Sequence, residues 1–217
     1  MNLTKELNEF KKEFKSNVSD DVQSKMRDGH DELAKKKVGE NAIEVGEEFP
    51  EFSLINCEGT ELRSQDLLSD SRFLIVSFYR GGWCPYCQRE LKALNESLPE
   101  FERYNAKMVA ITPEKPEKAK ETREEYAPHM TILHDDHCNF AERVGLAFEL
   151  PETLKKTYEE DLDIHVADFN GDYRLPVPAT YVMDSEMKVI KRFVDIDYKE
   201  RLDPSEIIEI LKEKALH

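Results

Sequence analysis

Arg72-Phe73-Leu74-Ile75-Val76-Ser77-Phe78-Tyr79-Arg80-Gly81-Gly82-Trp83-Cys84-Pro85-Tyr86-Cys87 is the stretch from which the fold can be read. Arg72 to Tyr79 is a continuous apolar, β-rich run, as a strand buried on both faces requires. Gly81-Gly82 breaks it with a loop. Pro85 suits the first position of a helix, which makes Cys84 the N-cap and Cys87 the third helical residue. Cys87, Leu91, Leu94, Leu98 and Phe101 then share one helical face, expected to meet the sheet. That geometry predicts Cys87 as the inner, shielded sulfur and Cys84 as the outer, exposed one, with Trp83 over the site. Pro99 lacks an amide donor and predicts a kink or restart of this helix.

The pattern continues on both sides. Upstream, Leu3, Leu7, Phe10 and Phe14 recur at helical spacing, and Ser19 is a candidate N-cap for a second helix carrying Val22, Met26 and Leu33. This helical hairpin is expected either to pack on the domain or to serve as a dimerisation arm, so a homodimer is a candidate state. Residues 38–50 read as a linker punctuated by Gly39, Gly46 and Pro50. A short strand (Phe52 to Ile55), a turn at Glu58-Gly59 and a brief helix after Ser64 precede the central strand. Downstream come a second buried strand (Lys107 to Thr112), a helix opened by Pro113 and Pro116, and a strand from Thr131 to His134. Short helices follow from Asn139 and from Pro151, with a turn at Asn170-Gly171. Thr180–Asp184 and Val189–Val194 form a hairpin, and Asp203-Pro204 starts the last helix.

Strands alternating with helices, then a hairpin and a helix, predict an α/β fold with a mixed central sheet flanked by helices. Residues 1–38 form an N-terminal helical extension and residues 39–217 one domain. The carboxyl edge of the sheet should carry the site.

The 217 residues carry 31 basic and 46 acidic side chains, a formal charge of −15. That balance argues against nucleic acid, whose binding draws on clustered Lys and Arg, and against anionic membrane surfaces. The longest apolar run, Phe73 to Tyr79, is too short to span a bilayer, and the charged N-terminus lacks the features of a secretory signal. The expected location is the cytoplasm. There the four cysteines, Cys57, Cys84, Cys87 and Cys138, read as catalytic or metal-binding rather than as a disulfide scaffold.

A sulfur at a helix N-cap faces backbone N–H groups that have no helical partner, and the helix dipole favours negative charge there. Both favour thiolate over thiol, below the free value of ~8.5. Arg80 adds a nearby cation. The spacing also puts both sulfurs within bridging reach, so a reversible Cys84–Cys87 disulfide is expected.

The run Phe78-Tyr79-Arg80-Gly81-Gly82-Trp83-Cys84-Pro85-Tyr86-Cys87 resembles the peroxiredoxin-like branch of the AhpC/TSA family. Val45-Gly46-Glu47-Glu48-Phe49-Pro50-Glu51-Phe52-Ser53-Leu54, Phe169-Asn170-Gly171-Asp172 and Leu175-Pro176-Val177-Pro178-Ala179-Thr180-Tyr181-Val182 look like further family landmarks. The resemblance implies a thioredoxin-like fold and a thiol-dependent antioxidant enzyme that reduces a peroxide or a disulfide and is reset by a thioredoxin-like or other dithiol reductant. The family register puts Arg80 at its proline, Cys84 at its threonine, Cys87 at its peroxidatic cysteine and Pro178 at its late arginine. On that register Cys87 attacks, whereas the N-cap argument favours Cys84. The loss of the hydroxyl and the arginine predicts that disulfide exchange is easier here than peroxide reduction. Trp-Cys-x-x-Cys and Val177-Pro178 instead resemble thioredoxin, which implies a cis Val177–Pro178 bond against the disulfide.

The candidate catalytic residues are therefore Cys84 and Cys87, supported by Arg80, Trp83, Pro85, Val177 and Pro178. No cofactor or metal is expected. The rival from another class is a structural module or a zinc site built from Cys84, Cys87, His134 and His137. Cys57 and Cys138 are expected to be incidental.

Overall fold

The computed structural model describes residues 2–216. Helices α1 (Leu3–Asn17) and α2 (Asp20–Lys35) lead into strands β1 (Ser53–Asn56) and β2 (Glu61–Arg63), helix α3 (Ser64–Leu68) and strand β3 (Phe73–Phe78). Then follow α4 (Pro85–Arg103), β4 (Ala106–Thr112), α5 (Pro116–Tyr126), β5 (Thr131–His134), α6 (Asn139–Arg143), β6 (Ala147–Glu149) and α7 (Glu152–Lys156). A π-helical turn, Thr157–Asp161, continues α7; α8 (Val166–Asn170), β7 (Arg174–Pro176), β8 (Ala179–Asp184), β9 (Val189–Val194) and α9 (Pro204–Ala215) complete the chain.

Seven strands form one mixed sheet in the order β2-β1-β5-β4-β3-β8-β9. β3 pairs in parallel with β4 and antiparallel with β8, so the apolar run found first in the sequence lies at the sheet's interior. All six of its residues are buried, and they divide by parity, as the pleat demands. Phe73 and Ile75 join Leu91, Leu94 and Phe101 of α4 and Ile207 and Leu211 of α9 on one face. Leu74, Val76 and Phe78 pack with Phe49, Phe52, Phe140 and Tyr181 on the other.

The N-terminal hairpin packs on the rest of the chain. Leu3, Leu7 and Leu33 belong to the same buried layer as the α4 face. The Thr4 N–H donates to Asp203 Oδ2 at 3.1 Å, tying α1 to the start of α9. The Phe10 ring meets the Tyr86 ring edge-on at 5.1 Å.

Three expectations need correction. α4 runs through Pro99 without interruption to Arg103; one missing amide is tolerated because Leu91, Leu94 and Phe101, on either side of it, are fixed in the core. None of the described peptide bonds is cis, Val177–Pro178 included. The Val177 N–H donates to Leu146 O at 2.9 Å, prolonging the small β6–β7 ladder, so the chain passes extended into β8. The trans form needs no further stabilisation, being ~0.5–1 kcal/mol the better isomer before proline. Finally, Asn170-Gly171 is not a free turn but the end of α8, with Gly171 at φ 88° as its cap. β2, β6, β7 and α8 had no counterpart in the sequence reading.

Candidate active site

The β3 chain leaves the sheet at Tyr79, and the next eight residues build the site. Two glycines make this turn possible. A Cβ on Gly82 would stand 2.0 Å from Thr122 Oγ1, and one on Gly81 2.3 Å from Trp83 Nε1. The loop is held from below by Glu114, just past β4. Its buried carboxylate accepts from the Gly82 N–H (2.8 Å), Tyr79 Oη (2.8 Å) and Thr122 Oγ1 (2.9 Å).

Cys84 is the N-cap of α4 with extended backbone, and Pro85 opens the helix. Cys84 is only 1% exposed and Cys87 is fully buried. The expectation of an exposed outer sulfur was therefore wrong. Helical periodicity placed Cys84 off the sheet-facing side but did not register the aromatic layer that closes over it. Trp83 lies 5.8 Å from the Tyr158 ring, and Tyr86 packs edge-on against Tyr198 at 5.6 Å.

Two buried arginines give the site its charge. Arg80, 3% exposed, folds back under this aromatic layer. Its guanidinium lies 4.5 Å from the Tyr198 ring centre and 4.7 Å from that of Trp83, and Nη2 donates to Tyr158 Oη at 2.9 Å. Asn170 Nδ2 fixes the Arg80 carbonyl at 2.9 Å. Arg201, between β9 and α9, donates from Nη2 to Cys87 Sγ at 3.3 Å. Its Nε bonds the carboxylate of Glu90, which lies one helical turn beyond Cys87.

The two sulfurs are thereby pushed apart in acidity. Burial opposes charge on Cys84, but the hydrogen bond from the Cys87 thiol and the charges of Arg80 and Arg201 outweigh it and bring the pKa down to about 5. No full capping hydrogen bond reaches the sulfur, and the Cys87 N–H is the weakest of these influences. Burial, together with donation to the Cys84 sulfur and that sulfur's charge, raises Cys87 well above the usual thiol range. Burial likewise raises Glu90 to about 7 against the pull of Arg201. The site thus holds a thiolate at Cys84, a thiol at Cys87 and two cations with few competing anions.

Val177 and Pro178 are buried beside Arg80, Tyr158 and Tyr198, around a small cavity. Among the described residues no three His, Cys, Asp or Glu side chains converge as metal ligands. His134 Nδ1 lies 2.6 Å from the Glu114 carbonyl, and His137 turns to Asp172, so the four-ligand zinc set is not assembled. Glu90, Glu114, Tyr158, Tyr198 and Arg201 escaped the sequence reading. Only Glu90, three residues after Cys87 on the apolar face of the helix, carried a signal: a carboxylate in a stripe that should be buried needs a buried partner.

The fold is that of known peroxiredoxins. Peroxidoxin BcpB from Mycobacterium tuberculosis superposes with a TM-score of 0.62 at 20% identity, covering 79% of this chain and 97% of its own. The class is an oxidoreductase of the thioredoxin fold. The AhpC/TSA family model matches residues 45–192, and the chain belongs to that family. Relatives of two kinds are similar to it. Thiol-disulfide oxidoreductase ResA of Bacillus thuringiensis (strain Al Hakam) is 24% identical over 162 residues, 74% of this chain and 76% of ResA. Peroxiredoxin Bcp of Bacillus subtilis (strain 168) is 23% identical over 173 residues, 80% and 98% of the two chains.

Proposed function

We propose that this chain is a thiol-dependent antioxidant enzyme that reduces peroxides through Cys84 and a Cys84–Cys87 disulfide. The observation that carries the reading is a cysteine brought down to about 5 beside two buried guanidinium groups. The Cys84 thiolate attacks one oxygen of the O–O bond and becomes a sulfenic acid. The other oxygen departs as an alkoxide or hydroxide and takes up a proton. The Cys87 sulfur then displaces the sulfenic hydroxyl as water, closing the disulfide, and the peroxide has gained the two electrons the dithiol lost. A thioredoxin-like dithiol or another external thiol returns both cysteines to thiols.

The family register removes a hydroxyl and an arginine from this site, and a lost donor of that kind costs ~10²–10³ in rate. Arg80 and Arg201 bring cationic donors to the same place from other parts of the chain. Their charge beside Cys84 supports peroxide reduction as the first reading, with disulfide exchange kept as the alternative. The Cys-Pro-Tyr-Cys turn and the ResA relatives favour a second reading, protein disulfide reduction. Second-order rates of oxidation by hydrogen peroxide and by a small disulfide, each compared with an unstructured cysteine peptide, separate the two. The first reading expects a peroxide rate several orders above the peptide; a rate equal to it leaves the second.

We read residues 1–38 as an extension of the catalytic domain 39–217, supported by the packing of Phe10 on Tyr86. No described helix is long and apolar enough to cross a membrane. Cytoplasmic work fits the net charge of −15.

A further inference from the structure

Both sulfurs are buried, so whatever resets the disulfide needs a way in. A groove of about 430 Å³ runs between α1 and α2 and ends on Tyr86 and Tyr198. Tyr86 stands in the first turn of α4 between Cys84 and Cys87, and Tyr198 packs edge-on against it at 5.6 Å, so these rings close the inner end of the groove over the cysteine turn. Tyr198 stands on the irregular segment between β9 and α9 and is only half-buried.

The groove reverses the sign of the molecule around it. Lys11, Lys15, Arg27 and Lys199 line it against two carboxylates, Asp31 and Asp197, in a chain of net charge −15. Lys11 is bonded to Glu200, and Lys199 to Asp197 at 3.2 Å. Lys15 and Arg27 line the groove and are exposed. At the inner end is a separate sign of a missing partner. Tyr86 is 2% exposed, and its hydroxyl, sealed from solvent, has no hydrogen-bond partner; His30 Nε2, also on the groove, has none either.

We propose that this groove admits a small thiol bearing a carboxylate, which reduces the Cys84–Cys87 disulfide. The inference rests on the disulfide cycle proposed above and names the class of reductant for it. The cationic mouth draws the carboxylate in, and the Tyr86 hydroxyl gives it a donor at the inner end. The incoming thiolate attacks Cys84 Sγ and breaks the Sγ–Sγ bond, and Cys87 departs as a thiolate and takes up a proton. A second molecule attacks the mixed disulfide, releases the Cys84 thiolate and leaves as the symmetrical disulfide. Two thiols are oxidised and the protein gains two electrons.

The test uses the full chain oxidised with diamide and reduced by mercaptoacetate, 2-mercaptoethanol or cysteamine. These thiols are of similar size and carry negative, zero and positive charge. Peptide mapping first establishes the Cys84–Cys87 bridge, and its reduction is followed by thiol release. Lys15→Glu/Arg27→Glu should slow mercaptoacetate about tenfold, two reversed surface charges each counting for a few-fold. It should speed cysteamine and leave 2-mercaptoethanol within about twofold, and salt should erase the difference over a Debye length of ~8–10 Å. Tyr86→Phe should slow mercaptoacetate more than 2-mercaptoethanol. If the bridge forms but the double variant treats the three thiols alike, the groove inference is wrong and the disulfide cycle stands. If mapping finds no Cys84–Cys87 bridge, the cycle falls and the inference falls with it.

Discussion

Cys84 and Cys138 both precede a helix, Cys84 with extended backbone and Cys138 with left-handed backbone, and their chemistry is opposite. Each is buried, Cys84 before α4 and Cys138 before α6. Around Cys84 stand Arg80 and Arg201, and its pKa falls to about 5. Around Cys138 burial is joined by Asp135, Asp172 and Glu142, with Arg174 too little to offset them, and the thiol is pushed far up. Its sulfur spends its proton on the Arg174 carbonyl at 3.4 Å. A helix N-cap therefore does not make a reactive thiol by itself. In this molecule the side-chain charges decide, delivered by segments distant in sequence from the cysteine they act on.

The largest effect should separate the two cysteines outright. Cys84→Ser removes the nucleophile and should lower turnover by ~10³-fold or more, whereas Cys138→Ala should leave it within about twofold. Equal losses in both variants would break the comparison.

The next tests act on the charges. Replacing Arg80 with Leu should raise the Cys84 pKa by ~1 unit or more, the usual reach of an opposite charge at close range. Arg201→Met should do the same but leaves Glu90 buried without its partner, at ~3–5 kcal/mol of stability. The paired variant Arg201→Met/Glu90→Gln keeps the fold and isolates the charge effect. Thiolate absorbance near 240 nm against pH reads the shift, and Cys138 should not respond in any of them.

A smaller effect sharpens the role of loop geometry. Gly82→Ala sets a methyl against Thr122 and pulls the Gly82 N–H from Glu114. The Arg80 and Trp83 positions depend on that loop, so turnover should fall about tenfold while far-ultraviolet dichroism stays unchanged. A mutant with full activity would show that the loop does not set the guanidinium's place.

A further effect is thermodynamic. The folded Cys84 pKa is depressed below the unfolded value near 8.5–9, so between about pH 5 and about pH 9 the unfolded chain binds a proton that the native site does not. That contribution is fully present above the unfolded pKa and is lost as pH falls through about 5. Reduced wild type should therefore gain stability relative to Cys84→Ser as pH rises through this window, measured by urea denaturation. A parallel pair of curves would contradict the assignment.

Much of this was legible in the chain. The all-apolar β3 run, the Pro at the first turn of α4 and the Asp203-Pro204 start of α9 each act within a few residues, so their signals survive in one dimension. What could not be read was assembly over distance. Arg201 meets Cys87 across 114 positions and Tyr158 meets Arg80 across 78, and nothing in either neighbourhood announces the meeting. The aromatic layer that buries Cys84 comes from three separate segments. The β6–β7 ladder joins strands too short to show a period, and the family register placed its arginine at Pro178 when the fold supplies the charge from Arg80 and Arg201.

The central claim is that Cys84 is held as a thiolate while the other cysteines are not. Site-resolved alkylation by iodoacetamide across pH 4–10, with each cysteine quantified by peptide mass, tests it directly. The account predicts that Cys84 reacts first, with a midpoint of about 5, and that Cys87 and Cys138 stay protected until the chain unfolds. A Cys84 midpoint near the free-thiol value of ~8.5, or Cys87 reacting ahead of it, would contradict the account.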